Sequence, residues 1–203
     1  MAQLNFTYPI TATFRMITLS PEVQVKNSSD ELLMQVKQKL LTLREATTVY
    51  ADLEKTQPLY HIKADRISGF RAVHRITKAQ GGEAVGSVKA TGLRSLWKTH
   101  YDVTDAQDRP LFYIQEENPW IKFLDALLDD IPLIGPIAAT FIQPSYLLKD
   151  ASGTAHYRIV KRRSFVARHF SLEHLGTTAD FPAELVALSL IQTIFLERNR
   201  GGA

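Results

Sequence analysis

Residues 181–197 read FPAELVALSLIQTIFLE, and this stretch decides between two architectures. The pattern predicts a helix over about 181–198, because Asp180 as N-cap and Pro182 form a start signal, and Arg198 and two glycines follow. At about 100° per residue, the large apolar side chains of this helix point in every direction, so it has no solvent face. Such a helix is either enclosed by protein or inserted in a membrane.

The composition favours one domain over residues 1–203, because 45% of the 203 residues are hydrophobic. The absence of cysteine excludes disulfides, thiolate metal sites and a thiol nucleophile. The net charge of +3 permits an anionic partner, but we expect no nucleic acid, whose binders carry a denser basic stripe. With no signal-peptide pattern and no run of about 18 apolar residues, we expect a cytoplasmic protein, either free or peripheral at a membrane.

About twelve short segments alternate apolar and polar residues and are separated by polar turns, which is typical of an all-β barrel or sandwich. The segments are 14–19, 23–26, 32–39, 43–50, 59–63, 70–77, 84–89, 97–103, 111–115, 146–149, 156–161 and 165–172. A barrel also accommodates the C-terminal helix, whose apolar part of about 12–16 residues is short for a hydrocarbon core of about 30 Å. We therefore predict a mainly β fold with two helices, in which a closed antiparallel barrel encloses the C-terminal helix.

A weak repeat recurs at the strand ends, where Val or Ile is followed by Lys or Gln. The pairs are Val36-Lys37, Ile62-Lys63, Val88-Lys89 and Ile114-Gln115. Alternation along a strand predicts one inward face for Met34 and Val36, for Tyr60 and Ile62, and for Phe112 and Ile114, with the lysines of the repeat facing outward.

The β pattern is interrupted once, after Asn118-Pro119. Apolar residues at helical spacing predict an amphipathic helix over about 119–130, and three helix breakers follow in residues 131–142. This segment either packs on the barrel or lies in a membrane interface.

Six short phrases carry a family resemblance: VKQKL at 36–40, IKADR at 62–66, SLWK at 95–98, IQEENPW at 114–120, PSY at 144–146 and FLER at 195–198. With these phrases and the order of its parts, nearly the whole chain resembles the bacterial branch of the LURP-one-related family. That family belongs to the Tubby C-terminal-like superfamily, which also holds the phospholipid scramblases. The resemblance implies a closed barrel around a central helix. It also implies binding of phosphoinositide headgroups, as in Tubby domains, or lipid movement, with which scramblases are associated.

One cluster of basic residues is a candidate anion site, since arginine binds phosphate with a bidentate fork. The cluster consists of Lys161, Arg162, Arg163, Arg168 and His169. Two adjacent strands could present these residues together. The alternative is a solvated strand end that protects the sheet from aggregation.

The outward lysines of the repeat form a second candidate basic surface, made of Lys37, Lys39, Lys63 and Lys89. Each occupies a similar place in the repeat, so we expect them to lie near one another. The alternative is that they are ordinary solvent-facing lysines.

We expect no catalytic residues, no metal ligands and no cofactor, because the six histidines are scattered without metal-binding spacing. The sequence therefore favours a non-enzymatic module that binds an anionic phospholipid headgroup or another phosphate ligand through a basic surface. Two alternatives stay open: a protein-interaction scaffold without a small-molecule ligand, and a scramblase-like protein that transfers lipid. The pattern does not decide the oligomeric state.

Overall fold

The computed structural model describes residues 4–15, 21–39, 46–66, 72–91, 100–117, 145–162, 167–178 and 180–200. Twelve antiparallel strands in this part of the chain form a closed barrel, as predicted, with one helix at the C-terminus. The strands are β1 (Ile10–Arg15), β2 (Glu22–Lys26), β3 (Leu32–Lys39), β4 (Ala46–Tyr50), β5 (Pro58–Ala64), β6 (Val73–Lys78), β7 (Ala84–Ala90), β8 (His100–Asp105), β9 (Pro110–Glu116), β10 (Ser145–Lys149), β11 (Ala155–Arg162) and β12 (Ala167–His174). The helix, α1, spans Ala183–Arg200.

Each strand pairs with its neighbours in sequence, and β12 pairs with β1 to close the barrel. Every predicted segment overlaps one strand. The largest difference is in β1, which begins at Ile10 rather than at Phe14. Ile10, Ala12 and Phe14 are the buried positions of β1, and the small alanine among them weakens the alternating pattern in the sequence.

The inward and outward assignments of the repeat are confirmed. All six predicted inward residues are buried, and so is Val88, as the alternation of a strand requires. Lys63 and Lys89 are exposed and Lys37 is half-buried on the outer face.

The helix α1 is enclosed by the barrel. Eleven consecutive residues, 185–195, are each at most 3% exposed, so no face of these three turns reaches solvent. Eight-stranded barrels are filled by their own side chains, and a barrel of twelve strands is wide enough to hold a helix. Of the two architectures that the sequence left open, enclosure is therefore confirmed.

The helix begins later than Asp180, the predicted N-cap. The first helical hydrogen bond runs from the Val186 N–H to the Pro182 carbonyl at 3.0 Å, so Pro182 occupies the N-cap position. Phe181, just before it, packs against the rings of Phe112 and His156 at centroid distances of 4.9 and 5.4 Å. These contacts hold the chain outside the helix up to Pro182.

Gly86 on β7 allows α1 to approach the sheet closely. A Cβ atom at this position would lie 2.3 Å from the Thr104 carbonyl oxygen and 3.0 Å from Leu185 Cδ1. Real Cβ atoms essentially never come within 3.0 Å of another residue's heavy atoms. The glycine therefore serves the packing of the central helix against β7.

The barrel has two different ends, which we call the turn end and the tyrosine end. The turn end carries five short hairpin turns, at residues 27–31, 51–57, 79–83, 106–109 and 150–154. At the tyrosine end, the hydroxyls of Tyr101 and Tyr146 donate to the two carboxylate oxygens of Glu197 at 2.6 and 2.7 Å. The N-terminus of α1 lies at the turn end and its C-terminus at the tyrosine end.

The predicted amphipathic helix over 119–130 and the breaker-rich segment 131–142 lie outside the described residues. Within the part of the chain that the structure describes, no helix has the length and apolar character needed to cross a lipid bilayer.

Candidate functional site

A row of outward-facing residues crosses β3, β4 and β5 near the tyrosine end. Lys39 lies opposite Ala46, and Ala46 in turn lies opposite Lys63. Neighbouring strands are about 4.8 Å apart, so the backbones of the two lysines are separated by roughly 10 Å. The small side chain of Ala46 leaves the space between the lysines open.

The next row along the same strands repeats this arrangement. Lys37 lies opposite Thr48, which lies opposite His61, and the Thr48 hydroxyl is 3.4 Å from His61 Nδ1. Four basic side chains therefore surround two small ones on the outer face. We call the four the lysine frame: Lys37, Lys39, His61 and Lys63.

The charge of the lysine frame is uncompensated among the described residues. No described carboxylate lies within 4.0 Å of the ammonium groups of its three lysines. Glu22 is the cross-strand neighbour of Lys37, but its carboxylate accepts hydrogen bonds from Lys55 at 2.5 Å and from Gln35 at 3.1 Å. The lysine frame is therefore a site of local positive potential.

The histidine of the frame responds to that potential. The pKa of His61 is lowered from its ordinary value of 6.5, first by partial burial and then by the charges of Lys63 and Lys39. Burial and the two lysines thus oppose a positive charge on the imidazole. A bound anion would offset the charges of the lysines and raise the pKa of His61.

Arg75 extends the frame to the next strand, β6, where it lies directly opposite Lys63. Unlike the lysines of the frame, Arg75 is paired, with its Nη1 atom 3.0 Å from Asp108 Oδ1. Lys89, which the sequence groups with the frame lysines, lies farther on, on β7 and directly opposite Asp102. The three lysines of the frame therefore lie together on β3 and β5, while Arg75 and Lys89 lie beside carboxylates on β6 and β7.

The first predicted cluster is divided by the structure. On β11, Lys161 lies opposite the buried Phe170, whereas His169 on β12 is exposed and lies 3.2 Å from the Thr13 hydroxyl. Because side chains alternate between faces, Lys161 and His169 point to opposite sides of the sheet. Arg162 is opposite His169 in the backbone register, and Arg168 is opposite Phe14. Arg163 lies outside the described residues.

Lys161 lines a small cavity at the tyrosine end together with Phe14, Phe170, Ile194, Glu197 and Arg198. The volume of this cavity is about 20 Å³, enough for about one water molecule. The guanidinium of Arg198 lies 5.6 Å from the centre of the Phe14 ring and donates to Gln38 at 3.3 Å. A cavity of this size does not admit a phosphate group, so Lys161 belongs to the polar layer around the end of α1.

One group of residues is hydrogen-bonded in series like a hydrolytic triad, but its imidazole is buried. His156 Nδ1 lies 2.8 Å from the Thr177 hydroxyl and His156 Nε2 lies 2.8 Å from Asp150. The hydrogen bond from His156 is the main reason that the pKa of Asp150 is well below its usual range. The imidazole is buried against Phe181, so the group joins the 150–154 turn to the segment that leads into α1.

The described residues contain no group of three or more histidines, aspartates or glutamates arranged to hold a metal ion. What the lysine frame can do chemically is to attract an anion by electrostatics and hydrogen bonding.

Sequence reasoning overlooked His61 and Arg75. The signal for His61 was available, because it lies two residues before Lys63 on a strand and so shares its face. Arg75 needs the pairing register of β5 with β6, which the sequence pattern alone does not provide.

No protein-family model, curated protein or solved structure matches the chain. The resemblance to the LURP-one-related family therefore stays a prediction from the sequence phrases.

Proposed function

We propose that the protein is a non-enzymatic binding module whose lysine frame holds the phosphate of an anionic lipid headgroup or of another phosphate ligand. The observation that carries this proposal is the pair of rows in which Lys37, Lys39 and Lys63 surround Ala46 and Thr48 with no described carboxylate in ion-pair contact. Uncompensated lysines of one surface repel one another, and a bound anion relieves that repulsion.

The geometry suits a phosphate better than it suits a second protein. Lysine ammonium groups act as compact point charges on flexible stems, so Lys39 and Lys63 can converge over Ala46 although their backbones are roughly 10 Å apart. Thr48 adds a hydroxyl at the floor of the frame, 3.4 Å from His61. Near an anionic lipid surface, each lysine contributes about 1 kcal/mol of attraction.

The test is co-sedimentation with vesicles of neutral lipid, with and without anionic phospholipid, over a salt series. The variant Lys37→Ala/Lys39→Ala/Lys63→Ala is expected to bind anionic vesicles about 100-fold more weakly, since about 3 kcal/mol is lost. Binding by the unchanged protein should fall as salt rises, because exposed charges are screened.

A matched control removes three lysines from the turn end: Lys26→Ala/Lys78→Ala/Lys149→Ala. Both triple variants lower the formal net charge from +3 to 0, so a general charge effect weakens them equally. Equal partition of the unchanged protein to neutral and anionic vesicles, or equal loss in both triple variants, contradicts the proposal.

Two further arms identify the ligand source and the site. Soluble glycerophosphoinositol phosphate competes for a headgroup site, whereas inorganic phosphate competing equally well indicates a general phosphate ligand. Loss of vesicle binding in Arg162→Ala/Arg163→Ala, with binding kept in the frame variant, moves the site to the first predicted cluster. If the protein binds no vesicle and no phosphate, the protein-interaction scaffold replaces this function, and lipid transfer between leaflets in a vesicle assay supports the scramblase-like alternative.

A further inference from the structure

A second recess lies on the outer face beside the lysine frame and crosses β6, β7, β8 and β9. We call it the lateral groove. Its volume is about 450 Å³, within the range of about 300–1,000 Å³ that small-molecule sites occupy. The residues that carry the argument are Arg75, Ser87, Lys89, Asp102, Asp108 and Tyr113, all of which line it.

The depth of the lateral groove comes from small side chains at its floor. Ser87 and Thr104 lie opposite each other on β7 and β8, and their hydroxyls are 2.8 Å apart. On one side, Arg75 reaches from β6 to Asp108 in the turn between β8 and β9, with a contact of 3.0 Å. This ion pair forms a wall beside the floor.

The charges of the lateral groove are balanced, in contrast to those of the lysine frame. Arg75 is paired with Asp108, and Lys89 lies directly opposite Asp102. The Asp102 carboxylate lies 2.8 Å from His100 Nε2, and this hydrogen bond is the first cause of the lowered pKa of Asp102. The groove therefore offers charged hydrogen-bond donors and acceptors in equal number, with no excess charge for an ion.

The remaining lining is aromatic and apolar. The ring of Tyr113 is stacked on His100, with centroids 4.9 Å apart and an interplanar angle of 14°, so its orientation is fixed. Val73 and Leu111 add half-buried apolar surface. An aromatic wall beside carboxylates and cations in equal number suits a molecule that presents C–H faces and hydroxyl groups together.

We propose that the lateral groove binds a neutral saccharide of one or two rings. Sugar hydroxyls donate to the carboxylates of Asp102 and Asp108 and accept from Arg75 and Lys89, while a ring face packs on Tyr113. A polyanion gains no net attraction from two cations beside two carboxylates, and a purely apolar ligand leaves the polar groups of the groove without partners. An extended peptide lacks an open strand edge with which to pair, because the barrel is closed.

The test is a titration of the isotope-labelled 203-residue chain with methyl glucoside, N-acetylglucosamine, maltose, cellobiose and lactose, followed by amide chemical shifts. At least one of these sugars is expected to saturate at millimolar concentration and to shift amides of β6–β9. Two variants should each weaken that binding about tenfold or more, because each removes about one charge-assisted hydrogen bond or one ring contact. They are Asp102→Asn, which keeps the shape, and Tyr113→Ser.

The matched control is Tyr50→Ser, which removes an outer-face tyrosine from β4 and is expected to leave sugar binding unchanged. The triple lysine variant of the frame should also bind the sugar normally, so this proposal and the proposed function fail separately. The inference is overturned if no sugar of the set shifts the β6–β9 amides, if Tyr50→Ser weakens binding as much as Tyr113→Ser does, or if glucose 6-phosphate binds more tightly than methyl glucoside.

Discussion

The two ends of the barrel are held by different kinds of contact. At the turn end, side chains bind the backbone of their own turn: Asn27 and Asp105 each accept N–H groups two and four residues ahead. At the tyrosine end, Glu197 binds Tyr101 and Tyr146, which lie 96 and 51 residues away in the sequence. The turn end is thus held by hydrogen bonds within each turn, and the tyrosine end by contacts between α1 and distant strands.

This difference separates two sources of stability. A turn whose side chain caps its own backbone forms the same hydrogen bonds whenever that short segment folds. The Glu197 contacts exist only when α1 is in place, because Glu197 is a residue of that helix. Four predictions test the difference, ordered from the largest expected effect to the smallest.

Removal of residues 181–203 is expected to abolish the cooperative fold. Seven large side chains of α1 are at most 3% exposed, and their burial contributes on the order of 10–20 kcal/mol gross. That is as large as, or larger than, a typical net stability of about 5–15 kcal/mol. Thermal unfolding followed by circular dichroism checks this, and a synthetic 181–200 peptide added in trans should restore the transition. A shortened protein that still unfolds cooperatively shows that the strands need no helix.

Glu197→Ala is expected to lower the free energy of unfolding by about 2–6 kcal/mol, because two buried hydroxyls lose their acceptor at about 1–3 kcal/mol each. Urea unfolding measures the loss. The controls are Tyr101→Phe and Tyr146→Phe, which should be costly alone and nearly free in the Glu197→Ala background. Additive losses mean that the three residues do not act as a unit.

Gly86→Ala is expected to cost about 1–3 kcal/mol, since its Cβ would overlap the Thr104 carbonyl and crowd Leu185. The comparison is Gly82 in the turn between β6 and β7, which has a positive φ of 69° and no heavy atom within 4 Å of an added Cβ. Gly82→Asn should be nearly neutral, because asparagine tolerates this backbone conformation. Equal urea midpoints for both variants argue against close packing at β7.

The two ends should respond to opposite extremes of pH. The pKa of Asp150 is lowered in the folded state, so its contribution is present above the ordinary aspartate range and is lost as pH falls below it. The pKa of Tyr146 is raised by burial and then by Glu197, so its contribution is present below pH 10 and is lost as pH rises further.

Urea midpoints measured from pH 3 to pH 11 check both signs. Asp150→Asn should flatten only the acid side of the profile, and Tyr146→Phe only the alkaline side. A variant that flattens the opposite side contradicts the assignment of that residue.

The sequence predicted best what depends on neighbouring residues. Alternation located all twelve strands, and the short turns carried their own Asn, Asp and Gly signals. The apolar character of 185–195 on all sides, the short length of this stretch and the strands before it together predicted an enclosed helix. These features depend on residues that are close in the sequence, so they can be predicted without knowing which strands pair.

Features that depend on the pairing register of the strands could not be predicted from the sequence. Lys39 and Lys63 come together only because Ala46 lies opposite both, and a shift of two residues in either pairing would separate them without changing the buried pattern. The same limit applies to Lys161, which the sequence placed beside His169. The pairing with Phe170 turns Lys161 toward the interior instead. Glu197 gave no signal, because its partners lie on β8 and β10.

The position of α1 in the chain also sets the order in which the molecule can be made. All twelve strands are synthesised before the helix that fills the barrel. β1 can pair with β12 only late, because the paired residues of the two strands are more than 150 positions apart in the sequence. Because synthesis proceeds at about 5–20 residues per second, the apolar faces of the early strands stay uncovered for several seconds or longer. We expect the nascent chain to depend on chaperones until residue 200 has been added, and to acquire its fold in one late step.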